Sequence, residues 1–154
     1  MKINKIDFKF VQVLKPYLDE QNKIIESRPQ SRYEKRNKLP LHKYGKGSFC
    51  KFKIERKHYG KRGIYAILVK KKILYIGECE DLFDRFNAGY GNISPRNCFE
   101  GGRETNCRIN NLILKLFKKG LEIDLYFYET KKNKSIEKML IKENKPEWNR
   151  TNKK

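Results

Sequence analysis

Between Gly63 and Gly77 the chain reads GIYAILVKKKILYIG, two short apolar runs separated by three consecutive lysines. Runs this brief, rich in β-branched and aromatic residues and interrupted by charge, predict two antiparallel strands joined by a tight turn. The lysines Lys70, Lys71 and Lys72 then form a solvated hairpin tip. The length of that tip decides where Tyr65 and Tyr75 point, because side chains alternate between faces along a strand. A two-residue turn at Lys70-Lys71 pairs Tyr65 with Ile76 and sends the two rings to opposite faces. A three-residue loop sets Tyr65 directly across from Tyr75 on one face. If the tyrosines act together, the loop is expected to be odd in length.

Around this hairpin the pattern changes several times. Asp7 is expected to cap a first helix whose apolar positions are Phe10, Leu14, Tyr17 and Leu18, shortened or kinked by Pro16. From Arg28 to Arg62 the chain carries thirteen Lys and Arg against two Glu, with Tyr33, Tyr44, Phe49, Phe52 and Tyr59 interleaved. Near the end of this arm, SFCKFKI alternates loosely enough for an edge strand. After the hairpin, Glu80 and Asp81 favour a helix start through the dipole, with Leu82, Phe83 and Phe86 as its apolar face and Gly89 as its stop. A long loop, YGNISPRNCFEGG, leads to a helix in RETNCRINNLILKLFKKG. Its Ile109, Leu112, Ile113, Leu116 and Phe117 recur at helical spacing, and Gly120 closes it. EIDLYFYE alternates as a third strand, and SIEKMLIKEN forms a last helix from near Ser135 that ends before Pro146. Trp148 is expected to seal that helix by packing.

Charge bounds the partners. The 154 residues hold 37 Lys and Arg against 18 Asp and Glu, a net charge of +19. Such an excess repels itself in a compact fold, so an anionic partner is expected, nucleic acid before a membrane surface. No apolar run approaches the ~20 residues that cross a bilayer, and MKINKIDFKF lacks a signal-peptide apolar block. A soluble, cytoplasmic protein is expected. Cys50, Cys79, Cys98 and Cys107 stand singly, and with His42 and His58 they complete no zinc spacing. Reduced thiols are the expectation.

Gly63-Ile64-Tyr65, then Tyr75-Ile76-Gly77, then Leu82 to Arg85 as L-x-x-R, resemble the signature of the GIY-YIG nuclease superfamily. Glu137, Leu140-Ile141, Pro146 and Asn149 match the pattern that closes the family's domain. The resemblance covers about Lys61 to Arg150 and implies an α+β fold, a small three-stranded antiparallel sheet flanked by helices. To it this chain adds a basic N-terminal helical arm. The expected organisation is a helix and DNA-binding arm over 1–60, a nuclease domain over 61–150 and a basic tail over 151–154.

The resemblance also implies hydrolysis of a phosphodiester with one divalent metal, Mg²⁺ or Mn²⁺. Glu137 offers a hard oxygen ligand, and Mg²⁺ commonly accepts one carboxylate beside waters and phosphate oxygens. Arg85 presents a permanently charged planar fork that matches phosphate. Tyr65 is the family's candidate for taking a proton from the attacking water, and Tyr75 for orienting water or phosphate. An ordinary phenol, with a pKa of about 10, is a poor base at neutral pH. It needs a guanidinium, a metal or lysines nearby to favour the phenolate. Asn149 is expected to support the site by hydrogen bonds. Many relatives carry a histidine one turn after the helical arginine; Gly89 stands there in this chain, which excludes a histidine base at that position.

For DNA contact the candidates are Arg32, Arg36, Lys43, Lys46, Lys51, Lys53, Arg56 and Lys57 in the arm, with Arg96, Arg103 and Asn106 beyond it. Cations interleaved with aromatics suit neutralisation of phosphates beside bases, and Arg and Asn can read guanine and adenine edges. The expected protein is a restriction-type endonuclease cutting double-stranded DNA, a homodimer if the target is symmetric. A stand-alone repair nickase and a non-catalytic nucleic-acid-binding module on a nuclease fold are the competing readings.

Overall fold

A computed structural model describes residues 1–33 and 38–150. Its strands and helices in chain order are β1 (Lys2–Ile3), β2 (Ile6–Asp7), β3 (Lys9–Leu14), β4 (Glu26–Ser27), β5 (Phe49–Cys50), β6 (Gly63–Val69), β7 (Lys72–Cys79), α1 (Leu82–Arg85), α2 (Glu104–Lys118), β8 (Ile123–Glu129) and α3 (Asn133–Asn144). The chain forms two compact units, each assembled from separate stretches. The first takes Met1–Leu14, Ile54–Phe83 and the chain from Glu122 onward; the second takes Lys15–Lys53 and Asp84–Leu121.

The first unit is built on an antiparallel sheet of four strands in the order β3-β8-β6-β7. Strand β6 is flanked on both edges and buried on both faces, which explains why its sequence is a continuous apolar run instead of an alternation. One face gathers Ile64, Ala66, Leu68 and Ile76 with Ile3, Phe8, Leu140 and Ile141. Each fully buried isoleucine, leucine or phenylalanine of this set contributes roughly 1.5–3 kcal/mol. Helix α3 therefore covers this face with the stripe that begins at Ile136.

Two expectations are corrected here. The N-terminal segment predicted as a helix from Asp7 is strand β3, and with it the sheet has four strands, not three. The apparent helical spacing of Phe10 and Leu14 yields to β-branched Val11 and Val13 and to the open edge of β8, which β3 pairs over Lys9–Leu14. Phe10 is left 54% exposed, whereas a core-facing helical position would bury it.

The hairpin also departs from the odd-length loop. Its turn has two residues, Lys70 and Lys71, with φ of 49° and 67°. This left-handed pair matches the twist that two-residue hairpin turns require. The register then shifts by one between Ile67 and Leu68: Leu68 faces Ile73, but Ile67 faces Tyr75 and Tyr65 faces Gly77. Leu74 is the extra residue of a β-bulge. An even turn followed by one bulged residue thus places Tyr65 and Tyr75 on the same face.

The second unit is organised by α2. Asn110, fully buried, donates through Nδ2 to the carbonyls of Cys50 (2.9 Å) and Tyr90 (2.8 Å) and accepts the Cys50 N–H (3.1 Å). Around it Phe49, Ile93, Cys98, Phe99 and Cys107 pack together. The strand expected in SFCKFKI is reduced to Phe49–Cys50, paired with Glu26–Ser27. Helix α1 begins in the first unit and ends in the second. It continues through a π-helical turn, Phe86–Tyr90, that passes Gly89 and closes where the Gly91 N–H reaches Phe86 O at 2.7 Å. No helix among the described residues is long and apolar enough to cross a membrane. All four cysteines are buried free thiols.

Candidate active site

The bulge in β7 builds the centre of the site. Tyr65 and Tyr75 are diagonal neighbours on the sheet face opposite the one α3 covers, their ring centroids 6.1 Å apart and tilted by 39°. Tyr65 is 0% exposed, whereas Tyr75 is half-buried. The residue facing Tyr65 across the ladder is Gly77, and a Cβ there would lie 2.3 Å from the Tyr65 hydroxyl and 2.4 Å from its Cζ. The phenol end of Tyr65 thus occupies the space that any other residue at position 77 would need. Gly63 is constrained in the same way, since a Cβ would meet the Tyr128 carbonyl at 2.1 Å. Both glycines of the hairpin are seats for neighbours.

The segment after α3 holds the bulged strand. Asn149 accepts the Ile76 N–H (2.9 Å) and donates to the Ile76 carbonyl (2.8 Å), so its amide replaces a neighbouring strand on the outer edge of β7. The Trp148 N–H donates to the carbonyl of the bulged Leu74 at 2.8 Å, and the Trp148 side chain is buried. Together these contacts satisfy backbone groups that the bulge and the edge would otherwise leave unpaired.

Glu137 is half-buried on α3, three and four residues before Leu140 and Ile141 and hence on the same side of the helix. One turn earlier stands buried Asn133, which donates to Glu78 and accepts from Arg62 Nε at 2.9 Å. Arg62 also pairs with Glu80 at 3.1 Å. Sequence reasoning missed Arg62, Glu78 and Asn133. The polar position Asn133, one turn before Glu137 on the apolar stripe, was the signal that could have found them. Arg85 is half-buried at the end of α1, in the second unit. The structure therefore brings the two tyrosines together and puts Glu137 and Asn149 in the same unit as them, with Glu137 on the helix that covers the other sheet face.

The basic candidates divide between the units. In the first, Arg56 lies over the rings of Tyr59 (5.4 Å) and Phe83 (5.7 Å), and Lys57 pairs with Glu55 at 3.4 Å. Beside them the His58 Nε2 is buried without a hydrogen-bond partner. Its ring is held below the ordinary histidine range, chiefly by burial and then by Lys57 and Lys61. In the second unit Arg32, Lys51, Lys53 and Arg103 are exposed, and Lys43 and Lys46 line a cleft. Arg96 instead folds back onto the carbonyls of Phe99 (3.4 Å) and Glu100 (3.0 Å), which gives it a role within its own loop. Asn106 is half-buried. Arg36 and the tail 151–154 lie outside the described residues.

Among the described residues no group of three or more His, Cys, Asp or Glu gathers as a metal cage. Helix α3 carries two carboxylates, exposed Glu143 and half-buried Glu137, of which Glu137 is the one the resemblance offers to a hard cation. That donor set fits Mg²⁺ held mainly by waters and substrate oxygens. Comparison with family models, with curated proteins and with solved structures gave no match.

Proposed function

We propose that this protein is a divalent-metal-dependent DNA endonuclease of the GIY-YIG type, a restriction-type enzyme acting on double-stranded DNA. The observation that carries the reading is the pairing of Tyr65 and Tyr75 on one sheet face, 6.1 Å apart, by a bulge and a glycine seat. A core hairpin has no need of two phenols placed in this way.

In this reading Tyr75, which keeps part of its surface at solvent, meets the attacking water and accepts a hydrogen bond from it. Tyr65, fully enclosed, fixes the position of Tyr75; the opposite division suggested by the resemblance requires Tyr65 to become accessible. The resemblance gives Arg85 the part of a fork for phosphate oxygens, where charge grows in the transition state. Glu137 would hold Mg²⁺ or Mn²⁺, which when bound polarises the phosphate and stabilises the departing oxygen. A symmetric duplex target calls for two copies of the chain, so a homodimer on DNA belongs to the reading.

The test is plasmid DNA incubated with the full chain and Mg²⁺ or Mn²⁺, against chelator. Metal-dependent cuts at discrete positions are expected. Tyr75→Phe should slow cleavage by about 10²-fold, the order of effect of misplacing a reacting group, with duplex affinity kept within about twofold. Glu137→Gln should abolish cutting. Nicking without pattern would instead favour a repair enzyme, binding without cleavage a non-catalytic module. Full activity in both phenylalanine variants would remove the tyrosines from the chemistry.

A further inference from the structure

The second unit contains a cleft of about 560 Å³ where two of the arm's candidates, Lys43 and Lys46, meet helix α2. Six cationic side chains line it, Arg28, Lys43, Lys46, Arg108, Lys115 and Lys118, against one carboxylate, Glu26. Three of the six come from α2, where Arg108, Lys115 and Lys118 recur at intervals of seven and three residues and so share one face. The opposite face of that helix is the buried one, carrying Cys107, Asn110, Ile113 and Phe117. The other cations arrive from a distant part of the chain and are fixed there. The Arg28 guanidinium donates to the Lys46 carbonyl at 2.9 Å, and the Lys43 ammonium sits 5.1 Å from the Tyr44 ring centre. Glu26 is engaged by the Ser48 hydroxyl and by Lys118 at 3.1 Å. It offsets one charge, and the lining keeps a large cationic excess.

We propose that this cleft grips the sugar–phosphate backbone of duplex DNA and anchors the second unit on the substrate; the proposal rests on the DNA reading above. Several observations select this occupant. Six cations set against one carboxylate exceed what a single small anion neutralises, and a duplex presents one charge per about 1.7 Å of its axis. Strand-separated nucleic acid is held largely by aromatic stacking platforms, and here the lining offers one aromatic, Tyr44, whose ring already carries Lys43. The Asn111 amide, which gives one N–H to the Tyr44 carbonyl at 3.3 Å, has a second for a phosphate oxygen, a common acceptor of side-chain amide hydrogen bonds.

The test is fluorescence anisotropy of the full chain with a 24-base-pair duplex in chelator, which reads binding without cleavage, across a NaCl series. Arg108→Glu with Lys115→Glu should weaken binding at least tenfold. It should also flatten the slope of log K against log salt by about 1.8, roughly 0.9 for each phosphate that is no longer neutralised. The milder pair Arg108→Gln with Lys115→Gln, which keeps helix-forming residues, should flatten the slope by a similar amount. A control with the same charge change on the first unit, Lys2→Glu with Lys5→Glu, should lose less than threefold. Folded cleft variants that bind within threefold of the parent at an unchanged slope overturn the proposal. So does a control that loses as much, or a parent that prefers single strands to duplex. Cleavage with a dispensable cleft sinks the clamp alone, whereas cleft-dependent binding without cleavage sinks the nuclease reading alone.

Discussion

At position 77 the ladder has no room for even one methyl group. A Cβ there would lie 2.3 Å from the Tyr65 hydroxyl, and Tyr65 is enclosed on all sides, so the ring cannot swing into solvent. Gly77→Ala should therefore cost about 1–3 kcal/mol, the usual penalty of overpacking a tight core, measurable by urea denaturation. It should also lower cleavage, because the ring that must move is one of the paired phenols. An alanine variant as stable and active as the parent would show that the strand relaxes freely. His58 supplies a second check at this scale. Its folded ring sits below the ordinary histidine range because of burial and the adjoining lysines. The unfolded chain thus binds a proton more readily, and stability rises with pH across that window. Its share of stability is complete above about pH 6.5, the unperturbed value, and is lost as pH falls through the lower folded value. Thermal melts from pH 7.5 to 5 should show this decline, and His58→Gln should weaken it. An NMR titration midpoint for His58 at or above the ordinary value would contradict it.

At the scale of elements, the turn at Lys70-Lys71 asks two lysines to adopt left-handed dihedrals, with φ of 49° and 67°. Side-chain-bearing residues are strained there where Asn-Gly is not. Replacing the pair by Asn-Gly should stabilise the chain by about 1 kcal/mol and raise Tm by roughly 2–4 °C. A lower Tm would mean that the lysines make compensating contacts. The helices of 104–118 and 133–144 and strand 123–129 were legible because each keeps one period throughout, and strand 63–69 because it is a short apolar run bounded by glycine and lysines. The bulge was not: nothing in ILYIG marks Leu74 as an extra residue, since it arises from where Trp148 and the twist of the sheet require it. The strand at Lys9–Leu14 was hidden for a related reason. Its apolar spacing fits a helix, and only the open edge of β8, more than a hundred residues away, decides for extension. Of the candidate site, the tyrosines, glycines and Asn149 could be read in advance. The network of Arg62, Glu78 and Asn133 depends on a contact between β7 and α3 that no local pattern announces.

For the whole molecule, the charge of +19 acts in opposite directions on folding and on binding. Self-repulsion of the cations opposes the compact state, and salt screens it. Tm should rise between 50 and 300 mM NaCl, while affinity for duplex DNA falls steeply over the same range. A Tm that drops with salt would show that attractive ion pairs outweigh the repulsion. Of the cleft cations, Lys43 and Lys46 stood among the DNA-contact candidates of the basic run from Arg28 to Arg62, whereas Arg108, Lys115 and Lys118 did not. In the folded chain that run is shared between the units, Arg56 and Lys57 in the first and Lys43 and Lys46 in the second. The charges that complete the cleft lie on α2, a helix whose pattern reads as ordinary amphipathicity.

Because each unit is laced together from remote stretches, the protein resists dissection by truncation. A fragment trimmed to 61–150 would bare the flank of β8 that Lys9–Leu14 shields. It would also deprive Ile93, Cys98 and Phe99 of Phe49. A shortened chain has to keep both the first fourteen residues and Phe49–Cys50, so only the parts of Lys15–Lys53 outside those contacts are open to trimming.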